Sequence, residues 1–380
     1  MKKLRLIVAF SLAAICGGWA PAQEKTPPID LKSPLPTVVL KDGRTLHNLK
    51  IVSFGGATIM AKWDGGRGTL AYAALPDEVR KVAELSRPAA QKVPIPNAPK
   101  GAPAGPEAGG QKTLSLTMAR RGYSTHLLRQ EATGEPPEQP PRGVLDLVSY
   151  SGPLGPMAAY VSPPPGDGKR RPAIIWLVGG PSNSISSVAW ETAPPDNDQS
   201  ASGFRKAGIV MMYPSLRGGN NNPGYRERYF GEVDDVMAAA QFLAGLDYVD
   251  PSRIYLGGHS AGGTLAILVA ESSDQFRAVF ALGPVGDMGG YEQKAVPFDL
   301  SNPNECRLRS PGLWLDSIRG RTFVFEGTEP PSNIEPLRAM AAVNRNLLVK
   351  FNEIPGGTHF TIIAPLVHDI AQQILSDNGE

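Results

Sequence analysis

From position 173 onward, short apolar runs alternate with segments of helical periodicity. Ala173-Ile174-Ile175-Trp176-Leu177-Val178 is a continuous apolar run, the pattern of a strand buried on both faces. Ser200 to Lys206 reads as helix, Ile209 to Tyr213 as strand, and Glu232 to Leu243 as a helix with Val236, Ala239, Ala240 and Leu243 on one face. Ile254 to Leu256 is the next strand, and Phe280 to Leu282, Thr322 to Phe325 and Leu347 to Phe351 are the last. Ile334 to Val343 and Ile362 to Leu375 read as the last helices. Ahead of the alternation, Val144 to Tyr150 and Met157 to Val161 flank Gly152-Pro153-Leu154-Gly155 and predict a hairpin. Residues 113–134 are expected to supply a helix and an entry segment. Together, residues 113–380 predict an α/β domain with a doubly wound, mostly parallel sheet.

The first third of the chain has a different rhythm. Between Thr37 and Leu75, short strand-like runs are broken by Asp42-Gly43, Gly55-Gly56 and Asp64-Gly65-Gly66, and Pro76 to Leu85 then reads as a helix led by acids. Residues 30–86 are therefore expected to form a small antiparallel, barrel-like module similar to SH3-like domains. It holds no titratable cluster, so its separateness points to spacing or to a cell-envelope partner. Residues 87–112, rich in Pro, Gly and Ala, predict a semi-extended linker.

Lys2, Lys3 and Arg5 precede an apolar stretch from Leu6 to Ile15, and Ala20-Pro21-Ala22 offers a cleavage site. Residues 1–22 thus read as a secretory signal peptide, with periplasmic or secreted localisation and no stable membrane span after cleavage. Beyond that segment Cys306 is the single cysteine, so no internal disulfide is expected. A net charge of +2 with 19% charged residues excludes the basic field that nucleic-acid binding requires. Phosphate-loop, dinucleotide and metal-ligand patterns are missing as well, so no cofactor is expected.

The chemistry concentrates at Gly258-His259-Ser260-Ala261-Gly262, a G-x-S-x-G motif between an apolar strand and a helix-forming segment. Ser260 is the candidate nucleophile. An alcohol needs a base to become nucleophilic at neutral pH, and that base needs a carboxylate to fix its tautomer. Of the five histidines, His47 lies in the small module, His126 precedes the sheet, His259 adjoins the serine with its ring expected to diverge, and His368 lies within the last helix. His359 remains, on a glycine-loosened loop after the last strand, and is the candidate base. For the acid, Glu329 in Glu326-Gly327-Thr328-Glu329 is the first choice, with Glu326 and Asp287 as alternatives. The oxyanion donors are expected from the backbone of Ala261 and of Gly180 or Ser182, because Pro181 has no N–H.

These stretches resemble the α/β-hydrolase fold, and more narrowly the catalytic domain of the prolyl oligopeptidase family, over roughly residues 140–378. Trp176 to Pro181 is similar to that family's oxyanion strand, Tyr213 to Gly219 to its Arg-Gly-Gly segment, and Val249 to Arg253 to its lead-in to the nucleophile. Val178 stands where relatives carry a histidine or tyrosine, and Gly327-Thr328-Glu329-Pro330 replaces the usual acidic segment. The resemblance implies a serine peptidase with small peptide substrates. A carboxylesterase acting on small acyl esters, and an inactive hydrolase-fold binding protein, remain open.

Overall fold

The computed structural model describes residues 31, 33–54, 58–86, 115–191 and 193–378. The expected signal peptide and linker lie outside them. In the first part, β1 (Leu35–Val39), β2 (Thr45–Phe54), β3 (Thr58–Trp63) and β4 (Gly66–Ala71) pair antiparallel in chain order. Helix α1 (Asp77–Ser86) follows, and Leu49, Ile59, Ala61, Leu75 and Ala83 form a core of their own.

After α2 (Leu116–Arg120), the larger sheet opens with the hairpin β5 (Asp146–Gly152) and β6 (Gly155–Val161). It continues through β7 (Arg171–Leu177), α3 (Ser202–Lys206), β8 (Val210–Pro214), α4 (Glu232–Ala244), β9 (Val249–His259), α5 (Ala261–Ala270) and β10 (Val279–Leu282). The short α6 (Pro303–Arg307), then β11 (Thr322–Gly327), α7 (Ile334–Val343), β12 (Val349–Ile354) and α8 (Ile363–Ser376) complete it. The spatial order is β12-β11-β10-β9-β7-β8-β6-β5, parallel except where β6 meets β8 and β5. From β7 the chain steps outward to β8, then returns to the other side of β7 as β9. That reversal opens a crevice at the strands' C-terminal ends, between β7 and β9, where ligands of open α/β sheets gather.

The two faces of the sheet carry separate cores. Along β7, Ala173, Ile175 and Leu177 pack with α4 and α5, whereas Ile174 and Trp176 pack with α3 and α8, as a period of two requires. Helix α5 is buried from Gly262 to Ala270, which explains why it is apolar all round. Helix α8 instead buries one stripe, Ile363, Leu366, Val367, Ile370, Ala371 and Ile374.

At the far end of α5, Glu271 is fully buried, and among the described residues neither carboxylate oxygen has a hydrogen-bond partner. Burial therefore holds its pKa well above the ordinary value of 4.5. Above that value the unfolded chain ionises while the native one keeps its proton, so this group's contribution to stability falls as pH rises toward the folded pKa. Its slope is about 1.4 kcal/mol per pH unit. Glu271→Gln should raise the melting temperature at pH 8 more than at pH 5. Equal shifts at both pH values would show that Glu271 is ionised in the native state.

Candidate active site

Ser260 is the single residue between β9 and α5. Its backbone sits at φ 54°, ψ −114°, a strained conformation for a residue with a side chain. Helix α5 passes the end of the neighbouring β7 so closely that a Cβ on Gly262 would lie 2.0 Å from the Leu177 carbonyl oxygen. Only glycine fits there. The elbow is tied to β10 by the Ser260 N–H, which donates to the Leu282 carbonyl at 2.7 Å. Thr264 Oγ1 adds a second tie, donating to the Ser260 carbonyl and accepting from the Val285 N–H.

His359 arrives on the loop between β12 and α8, and its own N–H donates to the Pro331 carbonyl at 2.7 Å. Its ring passes over Gly283, the residue after Leu282, so closely that a Cβ on Gly283 would lie 2.5 Å from His359 Cε1. The imidazole and the Ser260 elbow thus meet the same turn at the end of β10.

The carboxylate at the histidine is Glu326, not Glu329. Glu326 Oε2 accepts from His359 Nδ1 at 2.9 Å, and the side chain is fully buried. Its oxygens also accept from the Gly327 N–H at 2.7 Å and the Asn333 N–H at 3.0 Å, which fixes the carboxylate in place. Glu329 stands exposed three residues on, and its N–H donates to the Gly357 carbonyl. The strand β11 runs through Glu326 to Gly327, so the acid projects from the strand itself and the following loop leads away from the base. Asp287 is exposed and bonds the Gly289 N–H and the Ser310 hydroxyl. Because a carboxylate only accepts, Nδ1 of His359 carries the proton and Nε2 offers a lone pair.

Gly180 lies just past β7 at φ 100°, and Ala261 is the first residue of α5. Among the described residues neither N–H has a protein acceptor. The Gly179 N–H is occupied, donating to Gln199 Oε1 at 3.3 Å. Gly180 and Ala261 line one cavity of about 270 Å³ together with Ser182, Leu265, Arg228 and Tyr229. An apolar groove of about 650 Å³ lies further along, between Val285, Tyr291, Leu313 and Met340. The segment after β8 is locked by Arg217, whose Nη2 and Nε both donate to Asp235 while Nη1 donates to Glu227. Its carbonyl accepts from Asn183 Nδ2, which holds the loop carrying Gly180.

The sequence assigns no role to His259, which is buried, or to Gln199, which is half-buried. The ring of His259 lies 4.5 Å from that of His359, centroid to centroid. Gln199, which contacts it, carries no motif that could have revealed it.

Residues 195–305 match the profile of the prolyl oligopeptidase family. A dual function macrocyclase-peptidase of Galerina marginata is 34% identical over 89 residues, 21% of this chain and 12% of that protein. An alpha/beta hydrolase domain-containing protein of Arabidopsis thaliana is 26% identical over 178 residues, 40% of this chain and 54% of the other. Among solved structures, a puromycin-hydrolyzing peptidase of Mycobacterium tuberculosis superposes with a TM-score of 0.51 at 19% identity, over 63% of this chain and 40% of that one. The chain thus spans about half or less of the length of these three proteins. Its larger sheet has the α/β-hydrolase fold and resembles the catalytic domain of the prolyl oligopeptidase family.

Proposed function

We propose that this chain is a serine hydrolase working through an acyl-enzyme, most closely a prolyl-oligopeptidase-like serine peptidase. The observation that carries this reading is the buried Glu326–His359 hydrogen bond beside the strained Ser260 elbow. In the proposed cycle, His359 Nε2 takes the Ser260 hydroxyl proton as Oγ attacks the substrate carbonyl carbon. The resulting oxyanion is held by the Gly180 and Ala261 N–H groups, a kind of interaction worth about 3–4 kcal/mol per donor in the transition state. His359 then gives its proton to the departing amine, and a water activated by the same imidazole releases the acid. Glu326 keeps the imidazole in one tautomer and stabilises its charged form. The charged, apolar and small residues of 1–22 support export of the chain.

Peptide amides are the first substrates to test, in parallel with short acyl esters and with the same acyl group in both. The proposal expects aminoacyl or prolyl amides to be cleaved with kcat/KM within about tenfold of the matched ester. Turnover of esters alone would make the chain a carboxylesterase. Turnover of neither, by folded protein, would favour a binding role.

A further inference from the structure

His259 follows Gly258 at the end of β9 and is completely buried, yet it takes no part in the cycle above. Its Nε2 lies 2.8 Å from the carbonyl oxygen of His359. A carbonyl only accepts, so Nε2 carries the proton and, in a neutral ring, Nδ1 is the acceptor. Gln199 meets that atom with both ends of its carboxamide, Nε2 at 3.0 Å and Oε1 at 3.2 Å, and of the two only Nε2 can donate to it. The same carboxamide accepts the Gly179 N–H through Oε1 and donates to Asn197 Oδ1 at 2.8 Å. A continuous chain therefore runs from the Gly179 N–H through Gln199 and the His259 ring to the His359 carbonyl. Its ends are the turn that carries Gly180 and the loop that carries the base, and it crosses the residue next to Ser260.

Building on the hydrolase reading above, we propose that Gln199 and His259 are positioning residues that hold the oxyanion turn, the nucleophile elbow and the base loop in one fixed register. A backbone carbonyl anchors His359 here, so its ring is held from two sides: Glu326 grips Nδ1 and His259 grips the main chain. In this arrangement the His259 ring is neutral, accepting at Nδ1 and donating at Nε2. The titratable groups around it are His359 and, behind that ring, Glu326. Gln199, Asn197 and the apolar Phe360, 5.8 Å away centroid to centroid, complete its surroundings. Burial, reinforced by the positive charge that His359 can acquire, lowers the pKa of His259 to about 3. His259 is thus uncharged at neutral pH. An uncharged Gln199 suits that state, and a carboxylate in its place would oppose it.

Two variants test this. In His259→Phe the ring volume stays while the tether is lost, and kcat should fall about 10–100-fold with KM within about threefold, the effect of a displaced base. In Gln199→Glu the new carboxylate faces His259 Nδ1 and raises that ring's pKa from about 3 by about one to three units, so the ring stays mostly neutral at neutral pH. The negative charge behind it then favours protonation of His359. The acid limb of kcat/KM should move up by about one pH unit. The same displacement should appear in the His359 imidazole resonances by NMR, which are read whether or not turnover occurs. Unchanged kcat in a folded His259→Phe variant, or an unmoved His359 titration in Gln199→Glu, overturns the proposal. If Gln199→Glu fails to fold, the kcat and KM split in His259→Phe decides alone. Wild type that cleaves no substrate while these NMR shifts occur would refute the hydrolase reading and leave the register intact.

Discussion

Ser260→Ala is expected to lower kcat by about 10⁵–10⁶-fold while leaving KM and the folded state nearly unchanged. The hydroxyl is the bond-forming atom in the proposed cycle, and nothing else at the elbow replaces it. What survives should be the rate that the Gly180 and Ala261 donors and substrate binding supply without a nucleophile, about 10³–10⁴-fold over water. The fold should tolerate the change because the elbow is held through the backbone of residue 260, by its N–H on Leu282 and its carbonyl on Thr264. Initial-rate kinetics on purified protein, with circular dichroism as the control for folding, make the comparison. Turnover within tenfold of wild type would remove Ser260 from the chemistry.

The second large effect separates two glutamates three residues apart. Glu326→Gln preserves size and the acceptor oxygen, but its amide nitrogen would meet His359 Nδ1 and favour the tautomer with the proton on Nε2. That imidazole cannot accept the serine proton. The expected loss in kcat is about 10⁴-fold, by comparison with the aspartate-to-asparagine change in the chymotrypsin triad. Glu329→Gln, at an exposed side chain, should stay within about twofold of wild type, as surface changes away from special features do. Equal losses in both variants, or a loss confined to Glu329→Gln, would show that the observed Glu326–His359 contact is not the working one.

The acid illustrates what the sequence carries and what it leaves out. Buried parallel strands announce themselves as apolar runs, so β7, β8, β10 and β11 are readable, and the motif glycines locate the turn at Ser260 because only they allow the backbones to pass. Where a strand ends is not written in its composition. Glu326 belongs to β11 because that strand stays paired with β12 through Glu326↔Glu353 and Gly327↔Ile354, a register visible only in three dimensions. The same blindness shortens β9: Val249 to Arg253 is partly polar, and it joins β7 through the Arg171↔Val249 pair, across a register shift before Ala173↔Ile254. In the entry segment the helix is confined to Leu116–Arg120. Its continuation is extended because side chains hold it: Arg129 donates to the carbonyls of residues 293, 294 and 296, and Glu305 accepts from Thr125 and the His126 N–H. The sequence sets His259 beside Ser260, but its partners come from sites 60 and 100 residues distant. No local pattern encodes such meetings.

The most direct measurement is the covalent one. Wild-type protein treated with a fluorophosphonate and digested should carry a single adduct on the peptide containing Ser260, formed more slowly in Glu326→Gln and absent in Ser260→Ala. Folded wild type that takes up no probe at Ser260, or that carries it on another residue, would contradict the account.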